Sequence, residues 1–469
     1  MFIDVSKTSP TQIIGDTGAK LRKLTETIER LHVRGATRPL EKIIHKVYPA
    51  DLASVLASIP EVHVAPIFHT IPEAELAADV LIQVNDRVQR IILAETPDAQ
   101  LTPILEKLPP DERVLLIREM EPERAERLLS ELEKASQKEL EKLLSYHPDT
   151  AGGIMTTEFF DLTGDTTADQ AIRAVREHAE VEMVYYLYVT DAEHKLEGVI
   201  SIRQLLLAKP QALLRDVMNA RIITVSTDTS RESVAALVDK YRLLAIPVVD
   251  ESQHLVGMIT VDDVIDVLET ETTQDMLRMA GTDKAEILTH STFRIAWIRL
   301  PWLLAAFIGG LAATWIVRNF EGVLTQVIAL GAFLPVVMGM AGNVGVQTAT
   351  VTVRGLATGS LDLRDVWGVL YKELRVGLIL GVFYGFTLGL FGWFMFGSLD
   401  LGGVVGFTIL GNMTGAALLA VALPMLFQRI GADPAIATGP FVTTAIDVFG
   451  VLNYFMLATL LLDLPGAGS

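Results

Sequence analysis

The chain has 469 residues, half of them hydrophobic, with 57 acidic against 39 basic side chains and a formal charge of −18. That balance argues against a nucleic-acid partner and for cations, unless the acids merely solvate the surface. Cysteine is absent, which excludes a disulfide framework and any thiolate metal site.

The charge is unevenly spread. Residues 296–469 carry seven basic and eight acidic side chains, so −17 of the total falls on residues 1–295. An acidic soluble half therefore precedes a nearly neutral, apolar one. Residues 1–35 read as an N-terminal extension. Met1 to Lys7 have neither the basic start nor the apolar run of a leader peptide, so none is expected. Gly15, Gly18 and Lys20 have some likeness to a phosphate loop, but the spacing is short and Leu21 stands where Ser or Thr is needed.

Residues 36–146 hold a repeat. A helix-start signal recurs about every 12 residues, at Pro49, Pro60, Pro72, Asn85, Pro97, Pro110 and Pro122, each with an acid within the next two residues. Proline suits the first helical turn, where its missing N–H is no loss, and acids there favour the helix dipole. Apolar residues such as Val114, Leu115, Ile117 and Met120 follow at helical spacing. The expected fold is a solenoid of short helices, each burying one face on its neighbours.

Residues 147–213 and 214–270 form two matching units. Strand-like runs at 183–189 and 246–249 alternate with helical segments, and an apolar-Gly-apolar-apolar-[Ser/Thr] run occurs around both Gly198 and Gly257. This βαββα repeat resembles a tandem CBS pair. CBS domains often hold a ribose through the Asp of an apolar-[Ser/Thr]-x-x-Asp run. The second unit has Thr260 and Asp263, but the first has Ser201 and Gln204, so adenine-nucleotide binding is doubtful.

Residues 271–294 are expected to form a connecting helix. From Asp262 through Asp263, Asp266, Glu269, Glu271 and Asp275 the acids recur at helical spacing. Such a face repels itself unless cations sit between, although a plainly solvated helix has the same pattern.

Residues 295–469 contain five stretches long enough to cross a bilayer, at about 296–317, 323–342, 374–397, 403–427 and 435–462. Arg294, Arg299, Arg354, Arg364, Lys372, Arg375 and Arg429 collect on one side and Arg318 alone on the other. The positive-inside rule then places the N-terminal half in the cytoplasm and the C-terminus outside. Near the end of the second span, Asn343, Gln347 and Thr348 offer polar groups to a pore within a Gly-rich run, which otherwise reads as a packing seam.

Asp447 is the only charged residue of residues 435–462. A carboxylate inside a membrane span is costly and is usually kept for an ion or proton path. Gly439 and Pro440 before it can free backbone carbonyls, and Thr443 and Thr444 add hydroxyls, so the stretch has the oxygen donors that Mg²⁺ takes. The alternative is an ion pair with a basic group on another helix. The nine histidines show no ligand spacing, which argues against a dedicated zinc site.

In this order, helical solenoid, tandem CBS pair, acidic connecting helix and five all-α spans resemble the MgtE family of magnesium channels. The local matches are residues 147–158, 335–348, 354–357 and 439–447. The resemblance implies a homodimer in the plasma (inner) membrane with one pore, where Asp447 meets its symmetry mate around a hydrated Mg²⁺. It places Asp433 on a second acidic position of the pore. It assigns Asp263, Asp266, Glu271 and Asp275, and more weakly Asp98, to cytoplasmic sites where Mg²⁺ bridges carboxylates and closes the pore. Pro66, Thr102 and Arg242 stand where the family often has acids. The resemblance implies no enzyme but a passive, gated Mg²⁺ channel. Two other readings are a cation-coupled transporter of divalent metals and a membrane-tethered Mg²⁺ or nucleotide sensor that conducts nothing.

Overall fold

The computed structural model describes residues 10–177, 185–287, 289 and 291–462. The chain divides into two compact units, residues 1–269 and 270–469, and each is described by itself.

The first unit opens with helices α1 (Pro10–Val33) and α2 (Thr37–Ile44). The repeat follows as α3 (Pro49–Ser58), α4 (Glu61–Phe68), α5 (Ala74–Gln83), α6 (Asp86–Glu95), α7 (Asp98–Leu105), α8 (Pro110–Glu119) and α9 (Pro122–Glu131), then α10 (Lys134–Ser145). Each expected start signal sits at a helix start. Asn85 caps α6, its side chain accepting from the Val88 amide at 3.0 Å. Alternate helices pack together, α3 on α5, α4 on α6 and α5 on α7. The shared core includes Leu52, Leu56, Val64, Ile67, Val80, Leu81, Val88 and Ile92. No single ten-residue helix could be stable alone, so burial on neighbours is what holds each one.

A short helix α11 (Ala151–Ile154) leads to two three-stranded sheets. The first has β1 (Asp161–Thr163), α12 (Ala168–Glu177), β2 (Tyr186–Thr190), β3 (Leu196–Ser201) and α13 (Ile202–Leu207). After α14 (Leu214–Val217), the second repeats the plan with β4 (Val225–Ser226), α15 (Arg231–Tyr241), β5 (Ala245–Val249), β6 (Leu255–Thr260) and α16 (Val261–Met279). In both sheets the first strand pairs parallel and the third antiparallel with the middle one. Of the run expected at 183–189, Met183 and Val184 lie outside the described residues.

The second unit holds the rest of α16, then α17 (Lys284–Ile287), α18 (Thr292–Asn319), α19 (Glu321–Gln326), α20 (Ala329–Ala357), α21 (Val366–Phe396), α22 (Leu399–Arg429), α23 (Pro434–Ile436) and α24 (Val442–Leu461). Among the described residues, five helices are long and apolar enough to cross a membrane. Helix α24 packs on α18, α20 and α22, and α21 packs along α22.

The acidic helix differs from the expectation of one continuous rod to Arg294. It stops at Met279. Gly281 takes φ +77°, the Thr282 amide donates to the Leu277 carbonyl at 2.9 Å and the Gly281 amide to that of Arg278 at 3.0 Å. These two bonds form a Schellman stop, whose left-handed position favours glycine. The dipeptide Ala280-Gly281 was the signal for it.

Candidate functional site

Helix α24 begins at a break. Residues 437–441 are wound more loosely than an α-helix, and Gly439 leaves helical geometry altogether (φ −71°, ψ −124°). Pro440 adds to this because it has no N–H to donate. The freed carbonyls do not stay open. The Thr443 hydroxyl lies 3.2 Å from both the Gly439 and the Pro440 carbonyl oxygens, to which it donates. Thr443 therefore stabilises the break, where the sequence had suggested a free ligand.

Asp447 follows one turn later, half-buried. Among the described residues its carboxylate has no hydrogen-bond or ion-pair partner. Among the described residues, the ion pair with a neighbouring helix is not formed. Gly345 of α20 leaves room for the Ile446 side chain next to the carboxylate: a Cβ there would meet the tip of Ile446, which would have to shift.

On α20 the polar residues divide. Asn343 and Gln347 are exposed, whereas Thr348 turns inward and its hydroxyl donates to Glu373 of α21 at 3.4 Å. Glu373 is buried, 8% exposed, and Lys372 approaches it at 3.5 Å. It is a buried carboxylate just before the stretch at about 374–397, flanked by Lys372 and Arg375.

Asp433 lies just before α23. Its carboxylate pairs with the Arg278 guanidinium at the end of α16 and caps the Ala435 amide at 2.8 Å. Asp275, one turn before Arg278, has its pKa raised by burial and then by Asp433 and Glu271, against the opposing pull of Arg278 and Arg354.

In the first unit the structure assembles an acidic seam that the repeat pattern alone did not show. Asp111 and Glu112 open α8 of the solenoid, and Asp262, Asp263 and Asp266 open α16 of the second CBS unit. Asp111 is buried and, among the described residues, its Oδ1 has no hydrogen-bond partner. Burial first, then Asp111 and the three α16 acids, push Glu112 up to about 8. Burial and the Asp111 charge likewise raise Asp263 to about 7. Asp266 is raised by burial and by Glu269 and Asp262. Like charges in a poorly solvated seam hold protons that exposed carboxylates would release. The seam therefore gathers negative charge only as these acids ionise, with Asp263 losing its proton near 7 and Glu112 near 8.

The Thr260–Asp263 motif has a local role. Asp263 accepts from the Thr260 hydroxyl at 2.5 Å and from its amide at 3.2 Å, and so closes the turn into α16. Ser201 and Gln204 form the matching capping box at α13.

The departures are explained locally. Thr102 donates to Glu131 at 2.9 Å, Pro66 sits inside α4, and Arg242 takes the left-handed cap of α15 and pairs with Asp239 at 3.1 Å. Asp98 stays within the solenoid. It is held by Arg124 at 2.7 Å and Arg127 at 3.6 Å, and the Arg124 hydrogen bond draws its pKa down. Among the described residues no three acids or histidines converge closely enough to hold a bare metal ion.

Comparison with known proteins agrees with this layout. Family models match residues 334–457 (divalent cation transporter), 47–149 (MgtE intracellular N domain), and 151–210 and 214–270 (CBS domain). The magnesium transporter MgtE of Thermus thermophilus is 40% identical over 336 residues, covering 71% of this chain and 74% of that protein. The Bacillus subtilis magnesium transporter MgtE is 31% identical over 426 residues, 91% of this chain and 94% of that protein. A solved cytosolic domain of the Mg²⁺ channel MgtE, in complex with ATP, is 34% identical and covers 52% of this chain and 99% of that one, with a TM-score of 0.49. With its solenoid, CBS pair and five apolar helices, this chain belongs to the MgtE family of magnesium transporters and is a multi-pass membrane protein.

Proposed function

We propose that this chain is a passive Mg²⁺ channel whose cytoplasmic acids sense Mg²⁺ and close it. The observation that carries the reading is Asp447, a half-buried carboxylate without a partner among the described residues, on a helix that starts at a break. Mg²⁺ sheds water reluctantly and is commonly held through one or two carboxylates with several waters kept. A single carboxylate per chain is then enough, if two chains pair and place both on one hydrated ion. Asn343 and Gln347, exposed on α20, supply hydrogen-bonding groups for its water shell. The N-terminal half lies in the cytoplasm and the C-terminus outside, following the arginines and lysines.

The sensing role falls to the acids of α16. Asp263 and Asp266 share the seam with Asp111 and Glu112, and Glu271 and Asp275 continue the row along the helix. A divalent ion lowers the repulsion across such a seam most when the carboxylates are ionised and close. It shifts the closed–open balance only by its differential affinity for the two states. Asp98 is left out of this set because two guanidinium groups already neutralise it. We assign no adenine nucleotide to the CBS pair.

Patch recordings with stepped cytoplasmic Mg²⁺ test the reading. Inhibition that rises with cytoplasmic Mg²⁺ in the wild type supports it, and a chain whose flux ignores cytoplasmic Mg²⁺ refutes the gating.

A further inference from the structure

The end of α16 is fastened to the cytoplasmic side of the last span by a charge of its own. Arg278 pairs with Asp433, and both side chains are largely withdrawn from water, at 29% and 27% exposure. The backbone next to Arg278 follows it in. A Cβ built on Gly439 would sit 3.4 Å from the Met279 carbonyl oxygen and 3.5 Å from that of Arg278. A Cβ built on Gly281, whose left-handed φ ends the helix, would sit 3.6–3.8 Å from Trp302 of α18 and Pro440. The end of the helix is therefore seated on the break that precedes Asp447. On the far side of this elbow, Glu286 accepts from the Arg299 guanidinium and the Thr282 hydroxyl, and these bonds pull it down to about 2. The segment has a catch at Arg278, an elbow at Gly281 and an anchor at Glu286.

A carboxylate at a channel mouth gathers cations only while its charge is uncompensated. A guanidinium fixed on it cancels that field and cannot diffuse away. We propose that Arg278 is a tethered counter-ion for Asp433: it holds the end of α16 on the Gly439–Pro440 break without any metal ion, and a divalent ion reaches Asp433 only by displacing it. This rests on the channel reading for its consequence, though not for the contact itself. It assigns the resting catch to Arg278 and leaves Mg²⁺ sensing to the acids of α16.

Hydrogen exchange on the full chain in lipid nanodiscs, without Mg²⁺, tests it. The readout is the amides of Ala280, Gly281 and Thr282, which donate to Met276, Arg278 and Leu277. Arg278→Gln and Asp433→Asn should each lower their protection about fivefold, the factor carried by a partly exposed ion pair near 1 kcal/mol. The exchanged pair, Arg278→Asp with Asp433→Arg, should regain it. Unchanged protection in the single variants, or an exchanged pair no better than either, overturns the proposal. Recordings on Arg278→Gln should show higher open probability in Mg²⁺-free cytoplasmic solution. Conduction by no variant, with the exchange pattern as expected, would overturn the channel reading and leave the catch standing.

Discussion

The acidic seam between α8 and α16 has a pH dependence whose sign and size follow from the structure. Glu112 has a folded value of about 8 against an ordinary 4.5, and Asp263 one of about 7 against 3.8. A raised folded pKa means that docking of α8 on the second CBS unit is fully supported below about pH 4.5 and loses support as pH rises through about 8. Between about pH 6 and pH 9, the Glu112 ionisation alone removes about 3 kcal/mol, roughly a hundredfold in the docking equilibrium. The assay is hydrogen exchange of the α8 amides in the full chain, in Mg²⁺-free buffer across that range. Protection should fall steeply above neutral pH, and Mg²⁺ near roughly 10⁻³ M should restore it by compensating the charges. Glu112→Gln keeps the shape without the ionisation and should flatten the curve to the smaller Asp263 step. Protection independent of pH, or the same curve in Glu112→Gln, would show that Glu112 does not titrate in the seam.

Neutralising Asp263, Asp266, Glu271 and Asp275 together, to Asn or Gln, should weaken inhibition by cytoplasmic Mg²⁺ while the preference for Mg²⁺ over monovalent cations stays. Identical inhibition curves in patch recordings would show that these acids do not gate. Gly345→Val overfills the space taken by the buried Ile446 side chain and should destabilise the membrane unit by about 1–3 kcal/mol, read as a lower melting temperature in detergent. Asp98→Asn leaves Arg124 without its carboxylate and should cost about 1 kcal/mol of solenoid stability. Because the folded pKa of Asp98 is depressed, its contribution is present above the ordinary carboxylate range and lost as pH falls. The variant's Mg²⁺ response should be unchanged, as measured by protease protection against Mg²⁺ concentration.

The solenoid was legible because its signals are local. Pro or Asn followed by an acid marks each helix start, and the structure places α3 to α9 on those marks. The CBS repeat was legible from two copies of one apolar-Gly run, and the spans from length and hydropathy. What could not be read was which acids meet. Asp111 and Glu112 looked like ordinary first-turn acids for a helix dipole, and only the fold that brings the start of α8 within electrostatic reach of Asp262, Asp263 and Asp266 makes them part of a seam. Asp433 and Asp98 had the right residue type, but arginines distant in sequence claim both: Arg278 and Arg124. Thr443 had a free hydroxyl on paper, and the Gly439 and Pro440 carbonyls claim it in the fold. Pairings of this kind depend on residues brought together across long sequence separations, which periodicity does not encode.

If Asp447 admits Mg²⁺ to a passive pore, Mg²⁺ uptake into proteoliposomes at clamped voltage, for wild type and Asp447→Asn side by side and with competing divalent ions, should show it. Wild-type flux should follow the electrochemical gradient of Mg²⁺ with no second ion, and Asp447→Asn should lose flux or selectivity sharply while the protein stays folded. Flux that requires a co-transported ion, no flux at all, or an Asp447→Asn variant identical to wild type would contradict it.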